Sequence, residues 1–254
     1  RCEAESQRFF CTMAPILRDN IKEGSNPMNA KIIFRYAVRE TLGLVTMGVA
    51  LFWSAGRLDW WPAWAALAVM AAWIAATAAV ILRYNPALLA ERLGPRQGAK
   101  RWDTAIMSLL GLTQLARYIL AGLDLRYDWS PGGALPVQLV ALGVGALGYA
   151  LVVWATAVNA FFSQIVRIQT ERGQTVVTGG PYRRVRHPAY LGAILFELAM
   201  PVLFASGWVL IPSGLSVLLL ILRTALEDRT LQAELPGYAA YARQVRSRLL
   251  PGVW

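Results

Sequence analysis

Apolar residues fall into six runs, and most polar residues are confined to the segments between them. The runs cover 37–55, 63–82, 104–123, 136–162, 188–205 and 208–222. The first four lie close to or above the roughly 20 residues that an α-helix needs to cross a bilayer. The last two are shorter, and Ser206-Gly207 and Pro212-Ser213-Gly214 interrupt them. They predict either two short spans or a tight helical hairpin packed among the others. Beyond them, 223–254 is arginine-rich, with Tyr238, Tyr241 and Val245 at helical spacing. The pattern predicts an all-α fold, a polytopic membrane helix bundle of about 5–6 spans ending in a C-terminal helical hairpin.

Composition agrees with this reading. Of 254 residues 56% are hydrophobic and only 16% charged, against about a quarter charged in soluble domains. One signal peptide would account for one apolar run, not six. The net charge of +10 does not point to nucleic acid, because the basic residues sit in the short connections that set membrane topology. Arg83, Arg92, Arg96, Lys100 and Arg101 follow the second run; Arg167, Arg172, Arg183, Arg184 and Arg186 follow the fourth. The alternate connections hold only Arg57 with Asp59, and Arg126 with Asp124 and Asp128. The positive-inside rule therefore puts the basic segments in the cytosol. Trp60, Trp61 and Trp64 suit the headgroup level at one end of the second run. Arg117 and Gln114 lie within the third run. A central arginine facing lipid costs about 2.5–3.5 kcal/mol on insertion scales, so it faces the bundle interior or snorkels. Cys2, Cys11 and a single histidine give no metal spacing, and no metal site is expected.

Candidate chemistry concentrates in two places. In 178–192 a Gly179-Gly180-Pro181 turn leads to Arg186 and His187, and Pro188 suits the first position of a helix. The free N–H groups of a helix start favour an anion. The second place is 223–229, where Glu227 and Asp228 are adjacent acids at the end of the last apolar run and would suit a bound cation. Taken singly, each has a plainer explanation as positive-inside charge or as snorkelling side chains at a span end.

Together the two segments resemble a known family. Gly180-Pro-Tyr-Arg-Arg-Val-Arg-His-Pro-Ala-Tyr-Leu-Gly192, then Glu227-Asp228, Gly237-Tyr238 and Tyr241, then Leu249-Leu-Pro-Gly252, occur in that order. This succession is similar to the isoprenylcysteine carboxyl methyltransferase family, related in turn to membrane phospholipid N-methyltransferases. The resemblance implies S-adenosyl-L-methionine as cofactor, held on the cytosolic side. It implies cofactor-binding roles for Tyr182, Arg186, His187, Pro188, Tyr190, Leu191, Glu227 and Asp228, and catalytic roles for Arg186 and Glu227, with Arg186 orienting an acceptor carboxylate. Asp228 stands where family members usually carry a second glutamate. The implied partners are the membrane and a lipophilic small molecule or lipid, not nucleic acid. The acceptor group, carboxylate, amine or thiol, is left open, as is the oligomeric state.

Two other readings fit part of the pattern. Membrane sterol reductases carry a similar His-Pro-x-Tyr segment and use NADPH, and a transporter or scaffold would need no cofactor. The expected organisation is an N-terminal extension over 1–30, poorly ordered, transmembrane helices over 31–158 and a methyltransferase-like region over 159–254. The alanine-, leucine- and arginine-rich composition points to a bacterial cytoplasmic membrane.

Overall fold

A computed structural model describes residues 30–94 and 98–254. The segment with Cys2 and Cys11, and Arg96, lie outside the described residues. Eight α-helices are described: α1 (Ala30–Ala55), α2 (Trp61–Tyr84), α3 (Ala87–Leu93), α4 (Arg101–Tyr127), α5 (Leu135–Val158), α6 (Pro188–Leu203), α7 (Leu210–Glu234) and α8 (Tyr238–Gln244). Single 3₁₀ turns occupy Thr170–Arg172 and Gly180–Arg183. Helices α2, α4, α5 and α7 are long and apolar enough to cross a membrane. Helix α1 has the length, 26 residues, but carries Lys31, Arg35, Arg39 and Glu40 near its start. Helix α6, at 16 residues, reaches about 24 Å, short of a hydrocarbon core of about 30 Å.

Prolines mark the helix starts. Pro62, Pro136 and Pro188 occupy the first or second position of α2, α5 and α6, where a missing N–H leaves no bond unmade. Pro212 falls in the first turn of α7, so Pro212-Ser213-Gly214 opens a helix where a break was expected. The hairpin turn lies between α6 and α7, where Ser206-Gly207 was expected to make it, with Ala205 at φ 52°. Helix α7 runs twelve residues past the apolar run, to Glu234, and carries the acidic pair with it.

The closest packing joins α5 to α6. A Cβ on Gly148 would lie 2.5 Å from the Gly192 carbonyl oxygen, and one on Gly192 would strike the Gly148 carbonyl. Small residues let membrane helices approach at backbone distance, where dispersion replaces the hydrophobic drive that lipid cannot supply. Helix α4 meets α1 likewise at Gly122, against Ser54 and Ala55. The distribution of side chains is inverted relative to a water-soluble bundle. Trp53 is 83% exposed and Leu147 70%, whereas Asp103, Arg117, Glu197 and Asp228 are buried. Outward apolar surface facing hydrocarbon and inward polar groups fit a membrane environment.

Arg117 is resolved by this arrangement. It is 1% exposed and pairs with Glu197 of α6, and Nη2 also donates to the Tyr118 hydroxyl at 3.2 Å. Its counterion sits 80 residues along the chain, so nothing in the third run announced it. Trp61 and Trp64 are exposed as a headgroup belt requires, but Trp60 is buried against Phe204 with ring centroids 5.3 Å apart. The two ends of the bundle are distinct. At one, Asp124 binds the Ser206 hydroxyl and accepts from Ser130 N and Oγ, both at 2.8 Å, which fixes the α6–α7 turn to the end of α4. At the other lie α3, α8, the 159–187 segment and most of the arginines.

Candidate functional site

The loop before α6 is shaped locally by Gly180, at φ 55°, which admits the 3₁₀ turn over Gly180–Arg183. Arg186 and His187 follow, and their N–H groups donate to the carbonyls of Ser247 (3.0 Å) and Arg248 (2.9 Å). The C-terminal segment thus lies across the loop like a strap. Pro188 begins α6 directly beneath it, as the proline rule predicts.

Asp228 is the hub. It is fully buried. Its Oδ1 accepts from Arg186 Nε (2.7 Å), His187 Nε2 (3.2 Å) and Tyr238 OH (3.0 Å). Its Oδ2 accepts from Arg186 Nη2 (2.9 Å), Arg248 Nε (2.9 Å) and Gln232 Nε2 (2.8 Å). A carboxylate offers about four lone-pair sites, so six donors saturate it. Arg186 is nearly as fully bonded, because Nη1 donates to the carbonyls of Val245 and Arg246, each at 2.7 Å. Burial opposes the charge on Arg186, but the bond to Asp228 and its negative charge outweigh that and raise its pKa. Burial, followed by the charge of Asp228, pushes the Tyr238 phenol well above its ordinary value, so it stays a donor at working pH.

Glu227 is placed differently. Consecutive helix residues do not share a face, and a rotation of about 100° carries Glu227 away from the hub and into a cavity of about 440 Å³. Its partner is the Tyr190 hydroxyl, which binds Oε2. Arg223, one turn earlier, stacks over the Tyr190 ring at 5.4 Å. It is held by Asp103 Oδ1 (2.7 Å) and the Gln164 carbonyl (2.9 Å). Asp103 also accepts from Val166 N at 2.8 Å, tying α4 to the segment that roofs the cavity.

The structure brings Tyr182, Arg186, His187, Pro188, Tyr190 and Glu227 to the cavity wall. Leu191 packs instead in the apolar cluster of α4, α6 and α7, and Asp228 sits behind the wall. Sequence reasoning gave no site role to Asp103, Arg223, Gln232 or Arg248. Asp103 and Arg223 look like ordinary charges at the ends of apolar runs, and their inward direction becomes visible only once α4 and α7 are paired. Trp73 and Thr77 of α2, Gln114 of α4, and Tyr149 and Thr156 of α5 also line the cavity, so the space extends from the polar end toward the membrane interior.

The described residues contain no group of three or more histidine, cysteine, aspartate or glutamate side chains able to hold a metal ion. Residues 140–233, from α5 through α7, match the model of the isoprenylcysteine carboxyl methyltransferase family, which bears out for that segment the resemblance drawn from the sequence. The matched segment contains both Arg186-His187-Pro188 and Glu227-Asp228. No curated protein matches the chain.

Proposed function

We propose, for a chain whose α5–α7 segment carries the signature of a membrane methyltransferase family, that it transfers a methyl group from S-adenosylmethionine to a lipophilic acceptor drawn from the membrane. The observation that carries this reading is the division of labour between two neighbouring acids. Asp228 has no bonding capacity left, whereas Glu227 presents a carboxylate with one oxygen free of protein partners to a cavity of small-molecule size.

The donor set suits an adenosyl cofactor. Glu227 offers an acceptor and a negative charge for hydroxyl or cationic groups. His187 and Tyr238 flank it, and Leu231 and Leu235 give apolar wall for a base. When bound, the cofactor supplies an electrophilic methyl carbon on a sulfonium. The chain's own residues supply position. Tyr190 holds Glu227, Arg223 stacks behind Tyr190, and the Asp228 hub sets Arg186 and His187. Orientation alone is worth roughly 7–11 kcal/mol of a bimolecular barrier. Four of the five N–H groups of Arg186 are engaged, which leaves one for an acceptor oxygen. A carboxylate acceptor needs no proton removed, so transfer to it would call on no general base. The positive-inside pattern puts the cavity's polar mouth in the cytosol.

The test is binding of S-adenosylhomocysteine to the detergent-purified chain, beside His187→Ala and Glu227→Ala, with NADPH as competitor. Binding by the parent and its loss in folded variants is the expected result. Saturable NADPH binding without adenosyl binding would transfer the site to the reductase reading.

A further inference from the structure

A second recess, of about 320 Å³, opens at the arginine-rich end of the bundle. Its polar wall is made by Arg35 and Arg39 of α1, Glu91 and Arg92 of α3, and Ser163 and Gln164. The charges in it do not balance. Glu91 is already occupied: Oε1 accepts from Arg167 Nε (3.0 Å) and Ser163 Oγ (3.2 Å), and Oε2 from Arg167 Nη2 (2.7 Å). Arg39 is bonded to Glu40, to the Arg92 carbonyl (2.9 Å) and to Gln164 Oε1 (3.3 Å), which fixes its guanidinium in place. Arg92 has no ion pair with a described residue; it bonds to the Tyr36 hydroxyl, and its guanidinium lies 5.6 Å from the centre of the Phe162 ring. Burial lowers the pKa of Arg92, and the like charge of Arg39 acts in the same direction. Arg35 is exposed and makes no hydrogen bond or ion pair with any described residue. Three arginines therefore share the recess with one acid neutralised by Arg167, while a second acid, Glu40, is held by Arg39.

Charges that only set topology can be scattered over the cytosolic face. Here they converge from two helices on one pocket. Arg35 and Arg39 are one turn apart on α1, and the neighbouring stripe of Phe34, Val38 and Leu42 is exposed. In a membrane-embedded bundle such a stripe faces hydrocarbon, so the arginines beside its start stand at the level of the headgroups. A guanidinium presents paired N–H donors that match phosphate oxygens. We propose that the recess binds the phosphate of an anionic phospholipid, whose acyl chains run inward along the Phe34–Val38–Leu42 stripe. Arg35 and Arg92 supply the uncompensated charge, and Arg39 braces the site. A zwitterionic lipid is disfavoured, because its ammonium would be brought among the arginines. Arg92, Ser163 and Gln164 also line the larger cavity, so the bound headgroup stands against that cavity's flank.

The experiment titrates the detergent-purified full chain with dioctanoyl phosphatidylglycerol, dioctanoyl phosphatidylcholine and inorganic phosphate, counting bound molecules by native mass spectrometry. One saturable phosphatidylglycerol is expected, bound about tenfold or more tightly than phosphatidylcholine, with inorganic phosphate a weak competitor. Arg35→Gln and Arg92→Gln should each weaken it about fivefold to tenfold, the scale of one charge-assisted hydrogen bond. Arg184→Gln, at an exposed arginine outside the recess, should leave it unchanged. Arg35 holds nothing in the fold, so the lipid-free melting temperature of Arg35→Gln should match the parent's and its lost binding cannot be put down to unfolding. Equal binding of the two lipids overturns the proposal. So does unchanged binding by Arg35→Gln, or an equal loss in Arg184→Gln, which would make the attraction a diffuse surface charge. Displacement of the lipid by an equal concentration of inorganic phosphate would make the recess a site for a soluble anion instead. S-adenosylhomocysteine binding enters none of these outcomes, so the site stands or falls apart from the methyltransferase reading.

Discussion

Two adjacent acids read alike in the sequence and differ in everything that follows. Asp228 neutralises Arg186 and Arg248 inside the protein, whereas Glu227 faces the cavity. Removing Asp228 leaves those arginines without their counterion, so Asp228→Ala should destabilise the detergent-solubilised fold by about 3–5 kcal/mol, seen as a fall in melting temperature with or without ligand. Glu227→Gln should change stability by less than about 1 kcal/mol yet weaken S-adenosylhomocysteine by about tenfold or more. If the two variants behave alike, the division between them is wrong. The buried phenols give a pH test. Burial raises Tyr182, Tyr238 and Tyr241 above their ordinary value of 10.0. Their stabilising contribution is therefore complete below about pH 10 and is lost as pH rises toward the folded-state values. Thermal melts between pH 8 and 11 should show the parent losing stability more steeply than Tyr238→Phe. At this scale the sequence disclosed that Arg186, His187 and the acidic pair belong together. It could not disclose which acid faces a ligand, because that depends on the rotation of α7 about its axis.

The helices were legible because apolar runs and proline starts are local signals. The six expected runs correspond to α1, α2, α4, α5, α6 and α7, and Pro188 does open α6. What stayed hidden was pairing: Arg117 with Glu197, Asp103 with Arg223, and Gly148 with Gly192. Each joins residues far apart in sequence, and no periodicity within one helix encodes its partner. The glycine contact has a consequence that can be measured. A Cβ added at Gly143 would meet nothing within 4 Å, whereas at Gly148 it meets backbone that cannot rotate away. Gly143→Ala should be neutral or stabilising by up to about 1 kcal/mol through helix propensity. Gly148→Ala should destabilise by about 1–3 kcal/mol. Equal shifts in melting temperature for the two would show that α5 and α6 do not meet at the glycines.

For the whole molecule, the bundle has one end rich in arginine and another held by Asp124, Ser130 and Ser206. If the positive-inside pattern governs insertion, single cysteines replacing Arg184 and Leu58, in a background where Cys2 and Cys11 are serine, should react from opposite faces of sealed vesicles. Labelling of Arg184→Cys only from the cytosolic face is the expected outcome; reaction of both from one face would contradict the topology. The fold class was readable at this scale from the length and number of the apolar runs, with composition in agreement. The cavity was not, because its walls come from α2, α4, α5, α6, α7 and the 159–187 segment, assembled by contacts that cross most of the chain.

The strap over residues 245–248 also has a mechanical meaning. It grips the start of α6 from above, while Asp124 grips the α6–α7 turn through Ser206 from below. The hairpin is therefore a rod fastened at both ends, with only its flanks left to lipid. Sliding it by one turn, about 5.4 Å, would break both fastenings at once. A bilayer that thins or thickens must then deform around the hairpin, and the height at which Glu227 and Tyr190 stand above the membrane midplane is set by the protein, not by the lipid.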